Sequence, residues 1–254
     1  MRINKKCVSL HPFMANDYFK FRQFTVRQDR CAMKVGTDGT LLGAWAHGGL
    51  TVLDIGTGTG LIALMMAQRF PDAHIDALEI DSSAAKQAVE NVAQSSFKSR
   101  INIIEESLQD YVSRVEVTCS FNQGKYDAIV SNPPFFINSL KNPNAERAQA
   151  RHTDTLSYAD LFAGVAKLLK DAGVFSAIIP AECEERFCSE AFLQGMFLTR
   201  KYMVRTVAHK KAKRCLLTFS KQRSAIIDNQ DVYLQNPDGS RSDWFNEKSL
   251  DFYL

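Results

Sequence analysis

A glycine-rich segment with a carboxylate on either side is the first feature of the sequence that could do chemistry. Asp54 precedes Gly56, Gly58 and Gly60, and Glu79 follows at the end of the next predicted strand. Glycines adopt positive φ angles and let a backbone approach a ligand closely, and the helix that follows would present free N–H groups. A carboxylate placed like Glu79 can accept hydrogen bonds from ribose hydroxyls. The segment therefore predicts a nucleoside-type ligand.

The spacing of the glycines narrows the kind of ligand. It is GxGxG, whereas dinucleotide-binding folds have GxGxxG and triphosphate-binding loops have GxxxxGK[ST]. Because no Lys-Ser or Lys-Thr pair follows Gly60, the sequence disfavours a nucleoside triphosphate.

A second chemical feature is the tetrapeptide Asn132-Pro133-Pro134-Phe135. An exocyclic or amide nitrogen is a poor nucleophile because its lone pair is delocalised, and hydrogen bonds from its N–H groups to fixed acceptors orient it. Asn132 Oδ1 and the Pro133 carbonyl are two such acceptors. The prolines stiffen the turn, so that both are preorganised, and Phe135 can stack on a flat substrate. The tetrapeptide predicts a site that orients a planar amine.

Strands and helices alternate around both features, which predicts an α/β domain with a parallel sheet and right-handed crossovers. The glycine segment follows the first strand of this sheet and Asn132 follows the fourth, which should neighbour the first. Gly173 is expected to mark the end of a helix. We predict strands at 51–55, 74–80, 101–104, 126–130, 173–179, 197–207 and 215–220, and helices at 40–46, 61–70, 82–94, 158–169 and 182–194.

The chain divides into a short extension and one main domain. Residues 1–34 are basic and aromatic, with a plausible hairpin between residues 19 and 26, and we expect them to pack on a domain formed by residues 35–254. The polar stretch 138–155 has no periodicity and is expected to be a loop. No internal repeat or low-complexity tract is present in the sequence.

Composition excludes several classes of protein. The chain is 45% hydrophobic and 23% charged, which is ordinary for a globular protein. No apolar stretch approaches the roughly 20 residues of a membrane span, and no apolar region of a signal peptide follows the first residues. The six cysteines lack zinc-site spacing. We expect a cytoplasmic monomer with no membrane contact and no metal.

Charge is distributed unevenly over a chain of net charge +3. Residues 200–214 and 1–34 are two basic zones, which would form a phosphate-binding face if folding brought them together. Two ordinary solvated faces would have the same composition, so charge alone leaves both interpretations open. The candidate contacts to a polyanion in the second zone are Arg205, Lys210, Lys211 and Lys213, and Arg147 and Arg151 in the polar stretch 138–155 are further candidates.

Residues 53–60 together with Glu79 resemble the cofactor motifs of class I S-adenosylmethionine-dependent methyltransferases. The resemblance implies a Rossmann-like, seven-stranded, mostly parallel sheet with helices on both faces. It also implies that residues 54–60 and Asn132 lie at the cofactor, that Glu79 binds its ribose and that Ile80 packs beside its adenine. A residue near Ser107 and Leu108 is expected to face the adenine amino group.

Residues 132–135 resemble the [ND]PP[FYW] signature of enzymes that methylate amino groups, with Asn and Phe favouring RNA bases. Phe21-Arg22-Gln23-Phe24 and DRCAMKVGTDGTLLGAW at residues 29–45 resemble the N-terminal signature of bacterial tRNA1(Val) adenine-N6 methyltransferases. That family modifies the adenine just 3′ of the anticodon. The resemblance, from about residue 19 to about residue 220, implies tRNA as the partner and places Thr37 and Asp38 near the amino-acid end of the cofactor.

Three alternatives remain open. An rRNA guanine-N2 methyltransferase would usually have a longer or duplicated chain. A release-factor glutamine-N5 methyltransferase shares Asn-Pro-Pro but usually carries Tyr next and a separate helical N-terminal domain, for which this N-terminus is too short. A non-catalytic tRNA-binding module that retains cofactor affinity is the third, and the intact glycines, Glu79 and Asn132 argue against it.

Overall fold

The described part of the chain forms a central eight-stranded sheet, a two-stranded hairpin and seven helices. The computed structural model describes residues 17–31, 34–118, 124–134 and 156–253. Phe135, Arg147, Arg151 and the predicted loop at 138–155 lie outside these residues. None of the described helices combines the length and apolarity needed to cross a membrane.

The elements between residues 51 and 220 follow the predicted alternation of strands and helices. The strands are β1 (Tyr18–Lys20), β2 (Thr25–Arg27), β3 (Thr51–Ile55), β4 (His74–Glu79), β5 (Ile101–Glu105), β6 (Tyr126–Ser131), β7 (Leu169–Pro180), β8 (Phe197–Val207), β9 (Arg214–Ser220) and β10 (Asp228–Gln235). The helices are α1 (Thr37–Trp45), α2 (Leu61–Arg69), α3 (Ser82–Ala93), α4 (Leu108–Thr118), α5 (Tyr158–Leu168), α6 (Glu184–Leu193) and α7 (Asp243–Ser249).

The large sheet is mostly parallel, which confirms the predicted fold class. Its strand order is β10-β8-β9-β7-β6-β3-β4-β5, and β9 is antiparallel to both of its neighbours. The other adjacent strands run parallel. As predicted, the strand before the glycine segment lies beside the strand before Asn132.

The sheet has one strand more than the predicted seven. The extra strand, β10, was not predicted because it carries no hydrophobic alternation. Residues 228–231 are exposed, and Val232 is the buried position of this strand. The main-chain ladder to β8 and an ion pair between Arg205 and Asp231, 2.9 Å apart, hold it at the edge of the sheet. An edge strand needs no apolar pattern when its neighbour supplies the hydrogen bonds.

The predicted helix end at Gly173 was wrong. Helix α5 ends at Leu168, and β7 begins directly at Leu169. A Cβ at Gly173 would lie 3.0 Å from the Asp127 carbonyl oxygen, so this glycine permits close approach of β6 and β7. Helices α4 and α7 were not predicted.

Helices cover both faces of the sheet, as predicted. Val52 and Leu53 in β3 belong to different apolar clusters because successive side chains of a strand point to opposite faces. Helices α1 and α2 pack in the first cluster, and α4, α5 and α6 pack in the second.

The described part of the N-terminal segment forms the predicted hairpin. Strands β1 and β2 pair antiparallel, and Phe21, Phe24 and Val26 are buried in the same apolar cluster as α1 and α2. Phe252, near the other end of the chain, joins this cluster, and Arg22 N–H donates to its carbonyl at 2.9 Å. Both ends of the described chain therefore pack on one face of the sheet.

One buried amide connects the hairpin, α3 and the glycine segment. Asn91 in α3 is 1% exposed. Its Oδ1 accepts from the Arg27 N–H at 2.8 Å, and its Nδ2 donates to the carbonyls of Arg27 and Thr59, each at 2.9 Å. No local motif marks this asparagine in the sequence.

We predict that Asn91→Ala destabilises the protein by at least about 2 kcal/mol, because each buried group left unpaired costs about 1–3 kcal/mol. The midpoint of thermal unfolding should fall by roughly 5–10 °C. The control is Asn229→Ala at an exposed position of β10, for which we expect no more than about 0.5 kcal/mol. Equal melting temperatures for the two variants would contradict this role of Asn91.

Candidate functional site

The carboxyl ends of three parallel strands bring the two predicted motifs together. Ile55, the last residue of β3, pairs with Leu78 of β4 and with Ser131 of β6. Ser131 Oγ also donates to the Ile55 carbonyl at 2.9 Å. Gly56 directly follows β3 and Asn132 directly follows β6. The glycine segment and the Asn-Pro-Pro turn therefore leave the sheet side by side.

The three glycines all adopt the positive φ angles that the sequence suggested. These angles are +73° at Gly56, +57° at Gly58 and +82° at Gly60. A Cβ at Gly56 would meet nothing within 4 Å, whereas one at Gly60 would lie 3.4 Å from the Ala88 Cβ. Gly56 thus faces open space, and Gly60 lets the start of α2 approach α3.

Asp54 lies beneath the glycine segment and is fully buried. Its Oδ2 accepts from Thr57 Oγ1 at 2.6 Å and from the Ala63 N–H at 3.2 Å, and its Oδ1 has no partner among the described residues. Burial raises the pKa of Asp54 to about 7. The carboxyl group therefore fixes the segment from below.

Glu79 closes the glycine segment against the end of β4. Its Oε2 accepts from the Gly58 N–H at 2.8 Å, and its Oε1 accepts from the Asp81 N–H at 2.9 Å. A carboxylate has about four acceptor positions, so each oxygen can still accept a bond from a ligand.

Two cavities, which we name A and B, meet at Gly56, Gly58 and Asn132, and these three residues line both. Cavity A measures about 290 Å³ and cavity B about 430 Å³. Asp54 and Gly60 line neither of them. Cavity A also contains Cys31, Leu78, Glu79, Ile80, Ser107 and Leu108, and cavity B also contains Lys34, Thr37, Asp38, Thr57, Leu61 and Arg214.

Cavity A combines apolar walls with the carboxylates of Glu79, Asp81 and Glu106. Leu78, Ile80 and Leu108 supply aliphatic surface beside Glu79. Ser107 is engaged in the first turn of α4, where its Oγ donates to the Asp110 carboxylate and accepts the Asp110 N–H. Such a cavity suits a flat base with a ribose attached.

Cavity B contains charged groups of both signs. Arg214, the first residue of β9, donates from Nε to Asp38 Oδ2 at 2.7 Å, and Lys34 lies on the same wall. Nothing local in the sequence links Arg214 to Asp38, which lies 176 residues away, so we predicted no individual role for Arg214. An acid beside bases suits a zwitterionic group.

Asn132 presents an acceptor without a donor where the cavities meet. Its Oδ1 is buried and has no hydrogen-bond partner among the described residues. Pro133 is buried and Pro134 is exposed. Because a buried polar atom without a partner costs about 1–3 kcal/mol, this oxygen is placed to accept a bond from a ligand.

The predicted basic residues that the structure describes lie at the same edge of the sheet. Lys210, Lys211 and Lys213 are exposed in the turn from β8 to β9, and Arg214 at its end pairs with Pro180, the last residue of β7. Arg205 is already paired with a carboxylate. Lys34 and Arg214 bring one end of each basic zone to cavity B, so the two zones converge there.

Sequence comparisons identify relatives over nearly the whole chain. Residues 44–186 match the methyltransferase small domain family. A tRNA1(Val) (adenine(37)-N6)-methyltransferase of Bacteroides thetaiotaomicron is 45% identical, over 95% of this chain and 99% of that protein. A relative of the same name from Trichodesmium erythraeum is 47% identical, over 85% and 89%. The chain belongs to the bacterial tRNA1(Val) adenine-N6 methyltransferase family.

Solved structures agree on the fold. A predicted O-methyltransferase of Agrobacterium tumefaciens superposes with a TM-score of 0.64 at 16% identity, over 85% of this chain and 96% of that chain. TYW2 of Pyrococcus horikoshii, crystallised with MeSAdo, superposes with a TM-score of 0.53 at 14% identity, over 81% and 71%. This likeness shows the class I methyltransferase fold.

The pKa of Asp54 predicts a pH dependence of stability. A carboxyl group whose pKa rises on folding stabilises the protein below its unfolded pKa, near 4, and this contribution is lost as the pH rises to about 7. When the pH is raised from about 5 to about 8, the unfolding free energy of the parent chain should therefore fall by about 2–3 kcal/mol more than that of Asp54→Asn. Urea titrations at both pH values measure the difference.

The matched control for this experiment is Asp72→Asn, at an exposed carboxylate. Its unfolding free energy should follow that of the parent chain at both pH values. A constant difference between Asp54→Asn and the parent chain would contradict a raised pKa at Asp54.

Proposed function

We propose that this chain transfers the methyl group of S-adenosylmethionine to N6 of an adenine in tRNA, the one just 3′ of the anticodon in tRNA1(Val). It acts in the cytoplasm as a monomer, with residues 35–254 as the catalytic domain and residues 1–34 as an extension of it. The observation that carries the proposal is the buried, unpartnered Asn132 Oδ1 where the two cavities meet. Family membership supports the choice of substrate.

The residues present fit S-adenosylmethionine. Gly56 leaves open space where any side chain would intrude. In cavity A, Glu79 would hold the ribose, Ile80 and Leu108 would flank the adenine, and Ser107 would lie beside it. In cavity B, Thr37 and Asp38 would hold the amino-acid end, with the Arg214 guanidinium, bonded to Asp38, beside its carboxylate. Asp54 and Gly60 would shape the loop beneath.

S-adenosylmethionine supplies an electrophilic methyl group on a sulfonium. The protein must then orient the adenine amino group. Asn132 Oδ1 would accept a hydrogen bond from one of the two N–H groups of this amine. The Pro133 carbonyl is the proposed second acceptor, with Pro134 stiffening the turn and Phe135 stacking on the base. The new bond between nitrogen and the methyl carbon would form as the bond from that carbon to sulfur breaks and leaves a neutral thioether. The methylated nitrogen would then be acidic and would lose one proton to water. Positioning and fixed acceptors supply the catalysis.

An unpaired loop base suits this site because it can be extruded at low cost. The proposed contacts to the RNA backbone are the exposed lysines of the β8–β9 turn, with Arg205 beside them. Arg147 and Arg151 are proposed as further contacts. Backbone contacts of this kind release counterions and make binding depend on salt concentration. The basic turn and the Asn-Pro-Pro turn share one edge of the sheet, as a common substrate requires.

Gly56→Ala tests the placement of the cofactor. The added methyl group would project into the junction of cavities A and B, so S-adenosylmethionine should bind at least about tenfold more weakly by calorimetry, equivalent to ~1.4 kcal/mol. Gly195→Ala is a matched control, because Gly195 also has a positive φ, +71°, and open space around it. Both variants should lose about 1–2 kcal/mol of stability. Unchanged affinity in Gly56→Ala would place the cofactor elsewhere.

Asn132 variants test the chemistry. With purified tRNA, the parent chain should form N6-methyladenine, detected by mass spectrometry of nucleosides. Asn132→Ala should lower kcat by about 10²–10³-fold, as the loss of one preorganised hydrogen-bonding group does elsewhere, while S-adenosylmethionine still binds. Asn132→Asp keeps an acceptor oxygen and should retain more activity than Asn132→Ala.

The alternatives give different products in the same assay. Supplying methyl-labelled S-adenosylmethionine with tRNA, rRNA or release factor would place the label in adenine N6, guanine N2 or glutamine N5. Label in either of the last two, or near-parental turnover by Asn132→Ala, would overturn the proposal. A chain that binds tRNA and transfers no label would be the non-catalytic module.

A further inference from the structure

A third cavity, which we name C, lies next to cavity B and measures about 440 Å³. It lies between the start of α1, the β8–β9 turn, the end of β10 and α7. Cavities B and C share Thr37, Asp38 and Arg214, so the two adjoin. The proposed methyl transfer gives no role to the C-terminal wall of cavity C, which Arg241 and Phe245 form.

Four cations line cavity C, and two of them lack a carboxylate partner. Asp38 and Asp231 neutralise Arg214 and Arg205. Within the described ranges, Lys213 and Arg241 make no ion pair, and the structure gives both as exposed. An excess of two positive charges at the mouth of a cavity favours an anionic ligand.

Arg241 is held in place despite its exposure. Its guanidinium lies 4.8 Å from the centre of the Tyr253 ring and 5.7 Å from that of Phe245. Such cation–π contacts fix the side chain and leave its N–H donors available to an anion. The planar fork of an arginine matches the oxygens of a phosphate.

Cavity C also has apolar walls, which distinguish a nucleotide from a free phosphate. Leu41, Val204, Leu234 and Phe245 line it, together with Thr37, Thr206 and Gln235. A ligand that joins a flat base to a phosphodiester would use both surfaces. Inorganic phosphate would use only the cations.

We propose that cavity C binds the nucleotide next to the target adenosine, with Lys213 and Arg241 holding its phosphate. This inference rests on the proposed function, because it takes an RNA base to be the group held at Asn132, which also lines cavity B. Because cavity C adjoins cavity B on the side away from cavity A, the adjoining nucleotide of the same strand would lie in cavity C. The C-terminal helix α7 thereby becomes part of the RNA-binding surface.

The test removes the two charges from the protein and, separately, one charge from the RNA. Lys213→Gln with Arg241→Gln keeps the aliphatic stems and removes the cations. The matched RNA is a tRNA assembled with one uncharged methylphosphonate link at each phosphate flanking the target adenosine in turn. The control, Lys98→Gln with Lys167→Gln, removes two exposed cations from segments that precede β5 and β7, at the opposite edge of the sheet.

One neutral link should raise the KM of the parent chain about tenfold, as expected for a charge-assisted hydrogen bond. The Lys213 and Arg241 double variant should show a similar rise with ordinary tRNA and no further rise with that neutral link. Its kcat should stay within about twofold of the parental value. A further rise in KM when the double variant acts on the tRNA with the neutral link would overturn the proposal. So would an unchanged KM of the double variant with ordinary tRNA.

A binding measurement separates this inference from the proposed function. In salt titrations of tRNA binding, the double variant should lower the logarithmic slope by about one relative to the parent chain, and the control pair should not. A lower slope without any N6-methyladenine would refute the proposed reaction and keep the RNA site. Methylation with unchanged slope and KM would keep the reaction and refute cavity C as a nucleotide site.

Discussion

The parallel pairing of β3 with both β4 and β6 is the constraint on which the site depends. Parallel strands end at the same edge of a sheet, so the residues after each strand gather there. In this chain, the glycine segment, Glu79 and the Asn-Pro-Pro turn all meet at that edge. A slip of one residue in either pairing would move each of these groups away from the others and turn the strand's side chains to the opposite face.

Two buried polar side chains hold the glycine segment at that edge. Asp54 binds it from below through Thr57 and the start of α2, and Asn91 binds it from the side through the Thr59 carbonyl. Neither group contacts cavity A or B, yet both fix the backbone that lines them. The raised pKa of Asp54 shows that burying this carboxyl group carries a free-energy cost. The hydrogen bonds of the buried carboxyl group keep three closely spaced glycines of positive φ in a single arrangement.

Ion pairing separates the basic residues into two groups with different tasks. Arg205 and Arg214 are engaged with Asp231 and Asp38, and they fix an edge strand and the wall of a cavity. The exposed lysines of the β8–β9 turn remain available to solvent or to a polyanion. The charge pattern of the sequence could not distinguish these groups, because their acidic partners lie far away along the chain.

Local signals in the sequence were enough to predict every strand and every helix but α4 from Thr51 to Ser220, and the motifs at the ends of the strands. They suffice there because hydrophobic periodicity and glycine or proline breaks act over a few residues. The same signals did not predict β10, α4 or α7, and they placed the start of β7 at Gly173. Folding alone brings Arg214 to Asp38, Asn91 to the glycine segment and Arg241 to the border of the site. Each of these contacts joins residues that are distant in sequence. The packing of the helices on the sheet decides whether such residues meet in space.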